Sequence, residues 1–256
     1  LDRTLPSYEV SEISGNNYNN VYYINSDTIS FKVKGADTHS GYYRTRYDTF
    51  LADDNWNCTG SWTSHQTDLP QASNSSTQTL SVSGLADGKY CLKVWVYDDV
   101  QNKAWADTNG VSIIHFVIDN AQPQGEIRGI RYDSQDIVDY FITNDNTPKL
   151  FGTCSDTNID TVKLTYGTNE QTLECNNGNW EADMTQLSDG KYLVTLTITD
   201  KAGNQTTDSK DIIIDTVAPT AQYTYYKNGK KITDSKTYIS SINELTYTGI
   251  FKMKIH

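Results

Sequence analysis

Short runs in which apolar and polar residues alternate recur along the chain, and each is closed by Gly, Asn, Asp or Pro. The clearest begins at Tyr192. Tyr192, Val194, Leu196 and Ile198 fall on one face, and Leu193, Thr195, Thr197 and Thr199 fall on the other. That period of two predicts a half-buried antiparallel strand. Tyr90, Leu92, Val94 and Val96 form the same inner set earlier in the chain. Three further runs, 21–27, 138–146 and 238–243, are rich in Tyr, Ile and Val and end in Asn or Asp, as strands and their turns do. No stretch carries a convincing period of 3.6. Short strands at turn-punctuated spacing, about seven to a unit, predict an all-β antiparallel sandwich with almost no helix.

The pattern repeats. Asp-Gly-Lys-Tyr at Asp87–Tyr90 returns at Asp189–Tyr192, and an acidic turn follows each strand, Asp98–Asn102 and Asp200–Asn204. An Asp followed four residues later by Pro occurs at Asp2–Pro6, Asp119–Pro123 and Asp215–Pro219. Proline fixes its own φ and drives the preceding residue toward extended geometry, so each copy reads as a stiff junction. Cut there, the chain divides into repeat 1 (1–119), repeat 2 (120–215) and the opening part of a third (216–256). The Tyr that opens each penultimate strand matches the tyrosine corner of β-sandwiches. Cys91 directly follows Tyr90, so its side chain is expected on the outer face of that strand rather than between the sheets. Gln101 stands where repeat 2 has Gly203, which predicts a different backbone geometry for the first turn.

Composition narrows the chemistry. A net charge of −11 repels phosphate backbones and argues against nucleic acid as a partner. The longest apolar run, 111–118, is interrupted by His115 and is far short of the ~20 residues that span a bilayer, so no membrane insertion is expected within the chain. Four cysteines fall two to a repeat without Cys-x-x-Cys spacing, and they read as the disulfides Cys58–Cys91 and Cys154–Cys175 rather than as buried thiols. Disulfides point to an oxidising, extracellular or cell-surface home. Without an initiator Met or a signal peptide, and stopping partway through a repeat, the chain reads as cut from something longer. No nucleophile elbow, His-Glu-x-x-His or phosphate-cradling loop is present, and the four histidines have no counterparts between repeats, so catalysis is not expected.

Five stretches of repeat 2, in order Asn144–Pro148, Asn177–Trp180, Leu187–Tyr192, Thr199–Asn204 and Ile214–Pro219, together resemble the bacterial immunoglobulin-like repeats of large surface adhesins. The resemblance implies tandem immunoglobulin-like sandwiches, neighbouring repeats of the same chain as partners, and calcium at the junctions. The turn after the penultimate strand is expected near the outgoing linker, bringing Asp200 beside Asp215 and Asp98 beside Asp119, with Asn102 and Asn204 as weaker ligands. Calcium wants several hard oxygen donors, which such turns supply. Asp156-x-Asn158-x-Asp160 starts like an EF-hand loop, but Thr161 and Gly167 stand where its Gly and Glu belong, so it is set aside. The polar region from Gly35 to Thr79 reads as a long loop of repeat 1, whose Tyr42, Tyr43, Trp56 and Trp62 are candidates for gripping a glycan or a surface protein. The reading is a non-catalytic stalk or adhesive segment stiffened by calcium. The alternative is an accessory carbohydrate-binding module of an extracellular enzyme.

Overall fold

The computed structural model describes residues 2–105, 113–132 and 134–218, with a small two-stranded ladder at Tyr226–Lys227 and Lys230–Lys231. Most of the expected third repeat, with its run 238–243, lies outside the described residues, as do residues 111–112 of the expected last strand of repeat 1. The first ten strands are Ser7–Ser11 (β1), Asn16–Tyr18 (β2), Val21–Ile24 (β3), Ile29–Ala36 (β4), Tyr42–Leu51 (β5), Trp62–Ser73 (β6), Ser75–Val82 (β7), Gly88–Asp98 (β8), Lys103–Trp105 (β9) and Ile114–Ile118 (β10). Nine more follow: Gln124–Tyr132 (β11), Gln135–Val138 (β12), Ile142–Thr143 (β13), Lys149–Ser155 (β14), Ile159–Tyr166 (β15), Asn169–Leu173 (β16), Asn179–Asp183 (β17), Gly190–Asp200 (β18) and Gln205–Ile214 (β19). The fold is all-β.

Four sheets make two sandwiches of one topology. In the first, β1-β4-β7 packs on β2-β3-β10-β8-β5-β6, with β9 beside β8; in the second, β12-β11-β14-β17 packs on β13-β19-β18-β15-β16. The last strand of each repeat pairs in parallel with an early one, β10 with β3 and β19 with β13, whereas the other pairings are antiparallel. One apolar cluster fills each sandwich, spanning Ile24 to Ile118 in the first and Ile127 to Ile214 in the second. The alternation read from sequence sets these clusters. Val194, Leu196 and Ile198 of β18 are buried while Leu193 is 60 % exposed. Trp180 is buried over Gly152, where an added Cβ would lie 2.0 Å from the Glu126 carbonyl and 2.5 Å from the indole.

The tyrosine corners form: the Tyr90 hydroxyl donates to the Ala86 carbonyl and the Tyr192 hydroxyl to the Ser188 carbonyl, both at 2.9 Å. Both disulfides form, Cys58–Cys91 and Cys154–Cys175. Cys91 points away from the inter-sheet cluster, yet it is fully buried, because the loop between β5 and β6 folds over it and brings Cys58 to it.

Three expectations need correction. The region from Gly35 to Thr79 is mainly the hairpin β5–β6, closed by residues 52–61. It read as a loop because β6 is an edge strand whose mostly exposed Thr, Ser, Gln and Asp carry no apolar alternation. The run 138–146 breaks at Asp139, whose φ is +58°, so that only Ile142–Thr143 joins the second sheet. The two acidic turns share one geometry. Gln101 N–H donates to the Asp98 carbonyl as Gly203 N–H does to that of Asp200, with φ of +69° and +93°. A short backbone rung at each turn base, 98 to 102 and 200 to 204, imposes the left-handed residue whether or not it is glycine.

Candidate functional site

β18 runs eleven residues from Gly190, which pairs with Ile214, up to Asp200, and β19 then returns down its length. At about 3.3 Å per residue this separates the turn Asp200–Asn204 from Asp215 by the whole length of the sandwich. The expected pairs, Asp200 with Asp215 and Asp98 with Asp119, therefore do not form. Each turn instead meets the incoming linker of its own repeat.

In repeat 2 the carboxylates of Asp119, Asp156 and Asp200 offer oxygens that all lie within 4.8 Å of one another. In repeat 1 Asp2, Asp37 and Asp98 do the same. The equivalence extends to the hydrogen bonds. Asn204 N–H donates to Asp200 Oδ1 at 2.8 Å, and its Nδ2 donates both to Asp200 Oδ2 and to the Asp119 carbonyl, each at 2.8 Å. Asn102 makes the same set: N–H to Asp98 Oδ1 at 2.7 Å, and Nδ2 to Asp98 Oδ2 at 2.8 Å and to the Asp2 carbonyl at 3.3 Å. Both asparagines thus clamp the linker onto the turn. Sequence reasoning missed Asp2, Asp37 and Asp156. The available signal was the Asp that opens every linker, together with an Asp closing the strand that enters the cluster, β4 or β14.

The two clusters differ in how well protein donors satisfy them. Asp37 Oδ1 accepts from the N–H groups of His39, Ser40 and Gly41, and Asp2 Oδ2 accepts from the N–H and hydroxyl of Ser40. Asp156 accepts from the Asn158 N–H, and Asp119 from Asn158 Nδ2 and the Ala121 N–H. None of Asp119, Asp156 and Asp200 takes part in an ion pair among the described residues. Burial, and then the charges of Asp119 and Asp200, push the Asp156 carboxyl up. Three carboxylates gathered at a turn, none paired with a cationic side chain among the described residues, form a hard-oxygen donor set. Their 4.8 Å limit is about twice a calcium–oxygen distance, so the set fits calcium. The grouping of Cys58, Cys91 and His115 does not fit a metal, since both sulfurs are consumed in the disulfide.

The second cluster lies where the two repeats meet. Asn16 Nδ2 donates to the Lys201 carbonyl at 3.0 Å, and the Lys201 ammonium stands 5.3 Å and 5.9 Å from the ring centres of Tyr23 and Tyr18. Such cation–aromatic contacts contribute about 0.5 to 1 kcal/mol when exposed.

The four aromatic candidates are not gathered into one surface. Tyr42 is fully buried, its hydroxyl closed into a network with Thr45 and Gln78, so it cannot receive a ligand. Tyr43 is half-buried beneath Arg44, and Trp56 is stacked on His115 at 4.7 Å over the Cys91 disulfide. Trp62 is 56 % exposed and stacks on Phe50. Asp215 accepts from the Val217 N–H in the outgoing linker.

Compared with known proteins, residues 131–216 match the family model described as a bacterial Ig-like domain. No curated protein matches the chain in sequence. Among solved structures, the fibronectin(III)-like modules of Clostridium thermocellum CbhA are 13% identical, with 82% of this chain and 94% of that one covered at a TM-score of 0.43. A 1.5-MDa bacterial ice-binding adhesin is 16% identical, with 88% and 69% covered at 0.35. Red sea bream transglutaminase is 6% identical, with 84% and 32% covered at 0.32. At these values none of the three lends its function to this chain. What the sequence match and the sandwich topology establish together is that residues 131–216 are a bacterial immunoglobulin-like domain in an all-β chain.

Proposed function

We propose that this chain is a non-catalytic, extracellular stalk or adhesive segment whose repeats are locked at a fixed angle by calcium. The observation that carries the reading is the carboxylate cluster of Asp119, Asp156 and Asp200, built from one linker residue and two turn residues at the contact between repeats. Calcium would be held there by these carboxylates and would supply the positive charge that no side chain provides among the described residues. Asn158 and Asn204 orient the linker for it. Both disulfides support an oxidising compartment, and the adhesin among the structures of similar fold accords with a surface role without adding weight to it.

Small-angle scattering tests the reading. With calcium near 1 mM, where extracellular sites of Kd about 10⁻⁴ to 10⁻³ M fill, the maximum dimension should settle at a single extended value. Chelator should broaden it while leaving the circular dichroism of both sandwiches unchanged. Profiles that coincide with and without calcium refute the stiffening.

One observation favours a second reading, an accessory glycan-binding module: the open face of Trp62 beside Phe50. Planar aromatic faces of this kind stack on sugar rings. Loss of glycan retention in Trp62→Ala would support it, and absence of retention on any polysaccharide tested would remove it.

A further inference from the structure

The two sandwiches share a topology, yet the outer faces of their matching sheets are different surfaces. In repeat 2 the outward side chains of β15, β18 and β19 are largely Thr and Ser: Thr165 sits beside Thr195 and Ser209, and Thr197 beside Thr207. The lysines of that face, Lys163 and Lys191, are paired with Glu170 at 3.1 Å and Asp211 at 2.8 Å. No aromatic ring stands among the outward residues of β15, β16, β18 and β19. Repeat 1, on the matching strands β5, β6 and β8, instead carries Trp62, Phe50 and Trp95 outward together with Arg44, Arg46 and Lys93. A stalk requires none of these.

The outward residues of repeat 1 form rows across the sheet. In one row Trp62, 56 % exposed, stacks on Phe50 at 6.2 Å. In the next, Lys93 lies opposite Asp48, and its ammonium stands 5.0 Å from the Phe50 ring centre. In the third, the Arg46 guanidinium lies over the Trp95 ring at 5.5 Å. Asp48 does not answer Lys93. Its buried carboxylate accepts the Ser64 hydroxyl at 2.6 Å and Arg46 Nε at 3.4 Å, while Arg44 holds Asp68 through two hydrogen bonds. Lys93 is therefore without a carboxylate partner among the described residues. Arg44, Arg46 and Lys93 against Asp48 and Asp68 leave one cation over, in a chain whose net charge is −11. These rows lie on the flank of the sandwich, along β5 and β8, not at either seam.

We infer that this flank binds an acidic polysaccharide, with one sugar ring stacked on Trp62 and a uronate carboxylate on the Lys93 ammonium. The inference rests on the glycan-binding reading and names the class of glycan. An open indole face beside an unanswered ammonium supplies both halves of that recognition, apolar area for the C–H face of a sugar and a countercharge for its carboxylate. An acidic peptide would use the charge and leave the indole idle. A neutral glycan would use the indole and leave the charge idle.

Affinity electrophoresis of the full chain in gels cast with polygalacturonate tests this, run in chelator so that no calcium ion bridges protein carboxylates to the polymer. Control gels hold the fully methyl-esterified polymer, which keeps the backbone and loses the charge, and poly-glutamate, which keeps the charge and loses the sugar. The wild type should be retarded most by polygalacturonate, and added salt should weaken that retention. Lys93→Gln should weaken it by about fivefold, the upper value of an exposed ion pair, and flatten its salt dependence, whereas Lys93→Arg should keep both. Trp62→Ala should weaken retention on both sugar polymers by about tenfold. Lys93 and Trp62 lie outside the apolar cluster of the sandwich, so the variants keep the fold. Equal retention on the esterified polymer, with Lys93→Gln silent and Trp62→Ala still damaging, overturns the inference and leaves a neutral-glycan reading standing. Equal retention on poly-glutamate also overturns it, as does wild-type protein that passes polygalacturonate, alginate and hyaluronan gels unretarded. In that last case retention on neutral xylan would keep the glycan reading, and its absence there would remove both.

Discussion

Asp156→Asn removes one negative charge from the three-carboxylate cluster and keeps Oδ1 as the acceptor for the Asn158 N–H, so the turn itself is preserved. Two unit charges 4.8 Å apart repel by about 1 kcal/mol at the dielectric constant of water and about 3.5 kcal/mol at an effective value of 20. Asp156 is only half-buried, which places relief of the repulsion in the lower half of that range, about 1 to 2 kcal/mol. In chelator the variant should therefore be more stable than the wild type, with a melting temperature raised by a few degrees. With calcium that advantage is cancelled, and the two proteins should melt at about the same temperature. A carboxylate ligand is lost, affinity falls, and the contribution RT ln(1 + [L]/Kd), about 1 to 2 kcal/mol at millimolar calcium and the tighter end of the extracellular range, disappears. The assay is paired calorimetric melts, wild type and variant, in excess chelator and in millimolar calcium. Equal destabilisation in both buffers would mean that Asp156 serves only its turn, and the cation argument would fail.

Gln101→Gly should stabilise repeat 1 by about 1 kcal/mol, because Gln101 holds φ of +69° at the position Gly203 fills in repeat 2; equal urea midpoints would contradict this. Burial lowers the His115 pKa below 6.5, so its neutral form stabilises the fold above pH 6.5 and that contribution is lost as pH falls through 6.5 toward the lower folded value. Urea melts followed by Trp56 fluorescence should show repeat 1 weakening between pH 7 and pH 5, and His115→Phe should abolish that slope. Gly152→Ala should cost several kcal/mol or prevent folding of repeat 2, given the 2.0 Å approach to the Glu126 carbonyl; a change under about 1 kcal/mol by calorimetry would refute the packing argument. Replacing Cys154 and Cys175 by Ala should cost repeat 2 about 3 kcal/mol, the chain-entropy value for a loop of this length, read from guanidinium midpoints.

Sandwich class and inner faces were legible because alternation is a local signal: the side chains of β18 must choose a face two residues at a time, and Val194, Leu196 and Ile198 did. The tyrosine corners were legible for the same reason, since Tyr192 reaches back only four residues. The cluster was only half legible. Asp119 and Asp200 were singled out, but each was assigned to the wrong neighbour, because which end of a sandwich a turn occupies follows from the direction of β18, not from nearness in sequence. Asp156 was discarded with the EF-hand pattern, although the strand it follows delivers it to the linker. Tyr42 looked like a ligand contact from composition alone. Its burial depends on Gly35, across the sandwich, where an added Cβ would lie 2.6 Å from the phenol ring.

Asp119 serves two masters. Its N–H bonds to the Ile24 carbonyl and extends the β3–β10 pairing of the first sandwich, while its carboxylate and carbonyl are held by Asn158 and Asn204 of the second. A gene break placed on either side of this residue would deprive one neighbour of something it uses. Duplication or exchange of whole repeats is harmless only when the incoming segment brings the same residue to the seam. Each half of this double role recurs at one other seam: Asn102 holds the Asp2 carbonyl as Asn204 holds that of Asp119, and the Asp215 N–H extends the β13–β19 pairing as the Asp119 N–H extends that of β3 and β10.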